Sequence, residues 1–208
     1  MTENTVQAKK LSRIQQRNRD IIMNAALDVF SQSGFRGATL DQIAEVAGLS
    51  KPNILYYFSG KEEIYVTLLN KMVTSWSDPL REFDADGEPI EEIVGYIERK
   101  MEMTREFPRE SRLFANEIIQ GGSRVMDHNV AVIKPLFEEK AALIQRWIDE
   151  GRLAPVDPQH LLTSIWATTQ HYADFEAQTK VFLGQGDNVL DRGTSYLTDL
   201  FRKALQPE

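Results

Sequence analysis

The sequence predicts an all-α protein, with a small N-terminal head of three helices followed by a larger helical domain. Three observations predict it. Apolar residues recur at three- and four-residue spacing along nearly the whole chain. Capping signatures and glycine or proline stops cut that pattern into helices of ordinary length. No internal repeat, low-complexity tract or Gly/Ser linker interrupts it, so the two parts are expected to share a helix rather than a tether.

The elements follow in order. Ile22, Ala26 and Phe30 recur every four residues, with Ile21, Ala25 and Val29 beside them, and give a first helix from about Arg13 to Ser33. Gly34 stops it, and Phe35 is placed to pack back. Thr39 and Gln42 form a capping box that opens a short helix with Ile43, Ala44 and Ala47 on its apolar face, ended by Gly48. Ser50 caps a third helix, about Lys51 to Tyr57, with Pro52 in the first turn where no donor is lost. Ser59 to Glu62 reads as another capping box, opening a long helix that carries Ile64, Leu68, Met72 and Trp76 and is kinked or ended at Pro79. Beyond it, helices are expected from Pro89 through Met101, from Pro108 to about Gly121, from Met126 to Gly151 despite Pro135, and from Asp157-Pro158 through Phe175. A last helix carries Val189, Leu197, Leu200, Phe201 and Leu205. The expected division is 1–58 for the head and 59–208 for the larger domain.

The chain has 208 residues, 42% of them hydrophobic and 26% charged, and its net charge is −7. That charge is unevenly spread. Residues 1–70 carry net +1 and residues 71–208 net −8, and the first twenty alone carry net +3 through Lys9, Lys10, Arg13, Arg17 and Arg19. A basic arm on an acidic body suits a protein that meets phosphate at one end only; a solvated tail would look the same. There are no cysteines, which excludes disulfides, thiolate nucleophiles and cysteine-ligated zinc. No apolar run reaches bilayer length and the polar start is no signal peptide, so a cytoplasmic location with no membrane partner is expected.

Enzyme readings are weak. Tyr96 and Lys100 have the spacing of a short-chain reductase pair, but no strand and glycine-rich turn precede them. His128, His160 and His171 include no pair at helical metal-ligand spacing. Neither a catalytic activity nor a cofactor or metal is expected.

Two short helices joined by Ala47-Gly48-Leu49-Ser50 have helix-turn-helix dimensions, although a plain helical hairpin shares them. Thr39, Gly48-Leu49-Ser50-Lys51, Ile54-Leu55-Tyr56-Tyr57-Phe58 and Lys61-Glu62-Glu63-Ile64 together resemble the DNA-binding head of the TetR family over about residues 15–65. One departure is Leu55, which stands where the family more often has a tyrosine. The resemblance implies a TetR-like fold, a transcriptional regulator, mainly a repressor, and a double-stranded DNA partner. A recognition helix turns its first residues to base edges; here these are Lys51, Pro52 and Asn53, capped by Ser50. Asn53 suits adenine, Lys51 guanine or phosphate, and Pro52 an apolar contact. Of Tyr56 and Tyr57, one is expected in the core and the other on phosphate or sugar. Thr39 and Lys61 sit at helix N-termini that favour phosphate, and Arg17, Arg19 and Arg36 complete the candidate DNA contacts.

In the larger domain, Trp166 and Gln170 are one turn apart and share a face with Leu162 and Ala173. An indole beside an amide suits a flat, neutral heteroaromatic ligand, though tryptophans filling core and a surface glutamine fit as well. Ser111-Arg112-Leu113-Phe114, Glu117, Leu153-Ala154-Pro155, Asp157 to Leu161, Ile165-Trp166-Ala167 and Thr169 to Phe175 are similar to the effector domain of the pyrimidine-utilisation repressors within the same family. That likeness implies uracil or thymine as the effector and control of pyrimidine and nitrogen catabolism. The candidate ligand residues are Met72, Trp76, Glu117, Trp166, Thr169 and Gln170. The rival within the family is a regulator of efflux or lipid metabolism with a more apolar effector; outside it, a purely structural helical protein. A homodimer is expected, two helices from each subunit (Leu161–Phe175 and Val189–Leu205) forming a four-helix seam so that two heads meet a pseudo-palindromic operator.

Overall fold

The computed structural model describes residues 12–186 and 188–207, and every regular element among them is a helix. The expected basic arm at Lys9 and Lys10 lies outside the described residues. The helices are α1 (Arg13–Gly37), α2 (Leu40–Ala47), α3 (Lys51–Tyr57), α4 (Lys61–Arg81), α5 (Pro89–Glu106), α6 (Pro108–Ile119), α7 (Met126–Asp149), α8 (Pro158–Asp174), α9 (Glu176–Leu183) and α10 (Asn188–Leu205). The chain divides into two compact units, with the boundary between Leu68 and Leu69 inside α4. No described helix is long and apolar enough to cross a membrane.

The first unit is α1, α2, α3 and the opening of α4. Its centre is Ile22, Ala26, Ile43, Ile54 and Ile64, all fully buried, with Phe30 and Phe58 beside them. Burying each isoleucine contributes about 1.5–3 kcal/mol, which is what holds together helices too short to persist alone. The ends are set by local chemistry. Ser12 and Gln15 cap α1 and Thr39 and Gln42 cap α2, each pair bonding reciprocally. Gly34, at φ 64°, breaks the helical path inside the span of α1, and Gly48, also at φ 64°, closes α2 in the left-handed region that disfavours a side chain. The start of α4 differs from the expected box: the Ser59 N–H donates to Glu63, 2.6 Å away. That bond holds the Glu63 carboxyl below its ordinary range.

The second unit is the rest of α4 with α5 to α10. Its core centres on Ile93, Ile97, Ile144, Trp147, Leu162 and Ile165. Pro89, Pro108 and Pro158 each occupy a first helical turn, where the missing donor costs nothing. Asp157 caps α8 by accepting from the Gln159 and His160 N–H groups, both at 2.9 Å. The stripe of α10, Val189, Gly193, Leu197, Phe201 and Leu205, is buried within this unit. The helix α9 has no counterpart in the sequence reading, which passes from Phe175 directly to the glycines at 184 and 186.

Candidate DNA interface and effector pocket

In the first unit, α2 and α3 form the helix-turn-helix. Ser50 caps α3 by accepting from the Asn53 N–H at 3.4 Å, so the first turn of α3 is presented with its side chains outward. Lys51, Pro52 and Asn53 are all exposed there. Lys51 also pairs with Asp41 of α2 at 2.9 Å; an exposed pair of this kind contributes little and yields readily to a phosphate. Behind this edge α1 braces α3. Gln15 donates to the Tyr56 hydroxyl at 3.1 Å and Asn18 to the Tyr57 hydroxyl at 3.0 Å. Arg19 reaches the Tyr57 carbonyl at 3.4 Å and stacks over Phe58 at 4.2 Å. Both tyrosines therefore lie at the rim of the head, Tyr56 exposed and Tyr57 half-buried, and neither is core. Arg13, Arg17, Arg36 and Thr39 are exposed. Lys61 is different. Its ammonium donates to the Phe35 and Ala38 carbonyls at 2.7 and 2.8 Å and lies 4.5 Å from the Phe35 ring, so it ties the end of α1 to the start of α4.

In the second unit, α4, α5, α6, α7 and α8 enclose a cavity of about 80 Å³. Trp76, Ser77 and Leu80 come from α4, Tyr96 and Lys100 from α5, Phe114 from α6, Ile133 from α7, and Trp166 and Gln170 from α8. The aromatic walls brace one another. Trp76 meets Phe114 edge-on at 5.1 Å, and Phe137 leans on Trp166 at 5.3 Å. The Trp166 indole N–H donates to the Tyr96 hydroxyl at 2.5 Å, which fixes the indole plane and takes up its one donor. Burial pushes the Tyr96 phenol well above its ordinary range. Lys100 is the charged group of this wall. Burial pushes its ammonium down to about 8, opposed by the charge of Asp174. Asp174 is itself shifted upward by burial, against the pull of the Ser111 hydroxyl bond and of Lys100 and Arg112. A second, smaller space behind Trp76, Lys100 and Gln170 is lined by Thr104, Phe107 and Ser111.

The comparisons with known proteins fall on the same division. Residues 22–68 match the family model described as bacterial regulatory proteins, tetR family, and residues 69–208 match YcdC-like protein, C-terminal region. The HTH-type transcriptional regulator RutR of Escherichia coli K12 is 46% identical, over 88% of this chain and 87% of its own length. The chain belongs to the TetR family of transcriptional regulators. The HTH-type transcriptional repressor NicS of Pseudomonas putida is 37% identical over 39% of this chain and 40% of its own length. Among solved structures, the ketosteroid transcriptional regulator KstR2 of Mycobacterium tuberculosis superposes with a TM-score of 0.73 at 18% identity, covering 97% of this chain and 99% of that one. The fatty acid degradation regulator FadR of Bacillus halodurans gives 0.71 at 17% identity, covering 96% and 100%. At such identities the likeness is one of fold. TetR-family regulators bind DNA and small-molecule effectors and function as dimers.

Of the six candidate ligand residues of this TetR-family chain, the cavity brings together Trp76, Trp166 and Gln170. Met72 and Thr169 are buried but are not among its walls. The Thr169 hydroxyl is spent on the Ile165 carbonyl at 2.7 Å. Glu117, also no wall residue, is buried and accepts from the Arg124 N–H at 3.2 Å and its guanidinium at 3.4 Å. The sequence reading missed Tyr96 and Lys100 as pocket residues, having weighed them only as a catalytic pair. The signal was available: Lys100 continues the buried stripe of Ile93, Tyr96 and Ile97 along α5, where a lysine has no reason to be unless something polar faces it.

Proposed function

We propose that this regulator represses genes of pyrimidine breakdown and leaves its operator when uracil or thymine fills the α4–α8 cavity. The carrying observation is the convergence of Trp76, Trp166, Gln170 and Lys100 on one small space. A uracil ring is flat and neutral and presents alternating carbonyl acceptors and N–H donors along its edge. The Gln170 amide supplies one acceptor and two donors, and the Lys100 ammonium supplies donors only. With the Trp166 N–H committed to Tyr96, Gln170 Oε1 meets the ring N–H and Lys100 meets a ring carbonyl. The two indoles cover the faces. At about 80 Å³ the cavity lies below the ~150 Å³ that accepts benzene and far below the ~300–1,000 Å³ of drug-sized sites. A pyrimidine therefore enters only as the walls move outward, and a long-chain or polycyclic effector would demand a much larger opening. An apolar effector would also leave the Lys100 ammonium buried with nothing to bond.

On the DNA side, Asn53 and Lys51 read bases from the first turn of α3, while Thr39, Tyr56, Arg17 and Arg36 follow the backbone. The chain acts as a homodimer on a pseudo-palindromic operator, its two heads ~34–36 Å apart in successive major grooves. The effector is bound and released unchanged, so the reading includes no catalytic step and no cofactor, and the protein works in the cytoplasm. The effector must bind the DNA-incompetent state more tightly than the competent one, and coupling of ~1–3 kcal/mol gives a 5–150-fold loss of operator affinity. The test is calorimetry of the full chain with uracil and with thymine, paired with anisotropy on a duplex that the protein selects from a random pool. Binding together with loss of duplex affinity is expected. No heat with either base at millimolar concentration overturns the pyrimidine assignment and leaves DNA binding standing.

A further inference from the structure

A second cavity, of about 160 Å³, lies where the ends of α5 and α8 meet α9 and the first turn of α10. Its walls include Arg105, Tyr172, Glu176, Thr179, Lys180 and Val189, and it has no wall residue in common with the α4–α8 effector cavity. The walls carry both signs of charge. Lys180 and Glu176 pair at 2.7 Å, Glu176 also takes Arg112 at 2.7 Å, and Arg105 pairs with Asp191 and Glu102. Between these groups lie the apolar side chains of Pro108, Ala173, Val189 and Leu190.

The independent observation is Thr179. It is 7% exposed, and its hydroxyl is buried with no hydrogen-bond partner. Every other threonine inside a described helix, from Thr67 in α4 to Thr198 in α10, donates to a carbonyl three or four residues back. A threonine in a helix divides between two χ1 wells for that reason. Thr179 alone forgoes the bond, and leaving a buried hydroxyl unpaired is unfavourable. A rotation about its Cα–Cβ bond exchanges hydroxyl and methyl at the cavity wall, so a polar guest can claim the hydroxyl at little cost.

We infer that this cavity is a second small-molecule site, for a small free amino acid. The ammonium of such a guest pairs with Glu176, its carboxylate with Arg105 and Lys180 while accepting from the Thr179 hydroxyl, and its short side chain lies on Val189. The size agrees: a cavity of ~150 Å³ accepts benzene, a guest of about six heavy atoms, and alanine, serine and valine are of that order. The site is separate from the effector pocket and does not depend on the pyrimidine reading.

The experiment is calorimetry of the full chain with alanine, serine and valine, and with propanoate and alaninamide as analogues that lack the ammonium or the carboxylate. Binding of at least one amino acid and of neither analogue is expected. Thr179→Val should weaken that binding about three- to tenfold, the worth of one hydrogen bond, without lowering the melting temperature of the ligand-free protein. Glu176→Gln should weaken it too, and Gln170→Leu should leave it unchanged. No heat with any amino acid overturns the inference. Propanoate binding as well as alanine makes the site a simple anion site and overturns it equally. Binding indifferent to Thr179→Val, or lost in Gln170→Leu, also overturns it.

Discussion

An ammonium carried into an apolar wall loses its hydration, and Lys100 bears that cost in the absence of a ligand. Its ordinary value is 10.5 and burial brings it down to about 8. Between these two values the unfolded chain binds more protons than the folded one, so stability rises as the pH climbs through that window. Below about 8 both states are protonated and the folded state carries the full penalty. Lys100→Met, of similar length, should therefore raise the melting temperature at pH 7, with the advantage shrinking as the pH rises from about 8 towards 10.5; thermal denaturation across pH checks both. The same variant should lose its response to uracil, because the donor to the ring carbonyl is gone. Gln170→Leu separates recognition from folding more cleanly, since Gln170 is only partly buried. Its operator affinity should match the wild type, with no change on adding uracil; anisotropy with and without the base measures this. A response retained in Gln170→Leu removes the amide from the proposal.

At the scale of elements, the short helices of the head depend on what joins them. Lys61 satisfies two carbonyls at the end of α1, and Lys61→Ala strands both. A loss of about 1–3 kcal/mol is expected, as for hydrogen bonds to a charged group, measured by chemical denaturation of the full chain. Asn53→Ala should leave stability intact and relax base preference at one position per half-site, by ~1–3 kcal/mol, read by duplex selection. The two outcomes separate a residue that builds the head from one that reads DNA, although both appear in the sequence as polar residues near helix starts. What was legible there was punctuation: Thr39 with Gln42, Ser50, Asp157, Gly34 and Gly48 all act where their chemistry predicts. What was not legible lacked it. The helix α9 follows α8 across Phe175 alone, with no side-chain cap and no proline or glycine to announce a new start. The pocket was half legible, because indoles and an amide one turn apart advertise a ligand, whereas the depth of Lys100 depends on how five helices close around it.

For the whole molecule, the dimer turns on which apolar surface each copy leaves uncovered. The sequence reading gave the apolar stripe of the last helix to the partner, but that stripe is consumed inside its own unit. Apolar side chains left outward include Tyr196 and Leu200 on α10 and, more prominently, Val181 and Phe182 on α9, 77% and 74% exposed. Covering a phenylalanine of that exposure contributes about 1.5–3 kcal/mol, and a two-fold seam counts it twice because each copy contributes the same patch. Because α9 follows α8 directly, these side chains add to the proposed α8–α10 seam. Phe182→Glu changes a residue that is largely exposed in the protomer, so its circular dichroism and melting should stay near those of a wild-type monomer. In sedimentation at micromolar concentration it should shift from dimer towards monomer. Operator affinity should fall by ~10²–10⁴, since the second half-site then binds as an independent event rather than an intramolecular one. A Phe182→Glu protein that remains dimeric moves the seam to α8 and the Tyr196–Leu200 face. A wild-type chain that sediments as a monomer removes the palindromic reading, because a single head spans one major groove and reads only half a site.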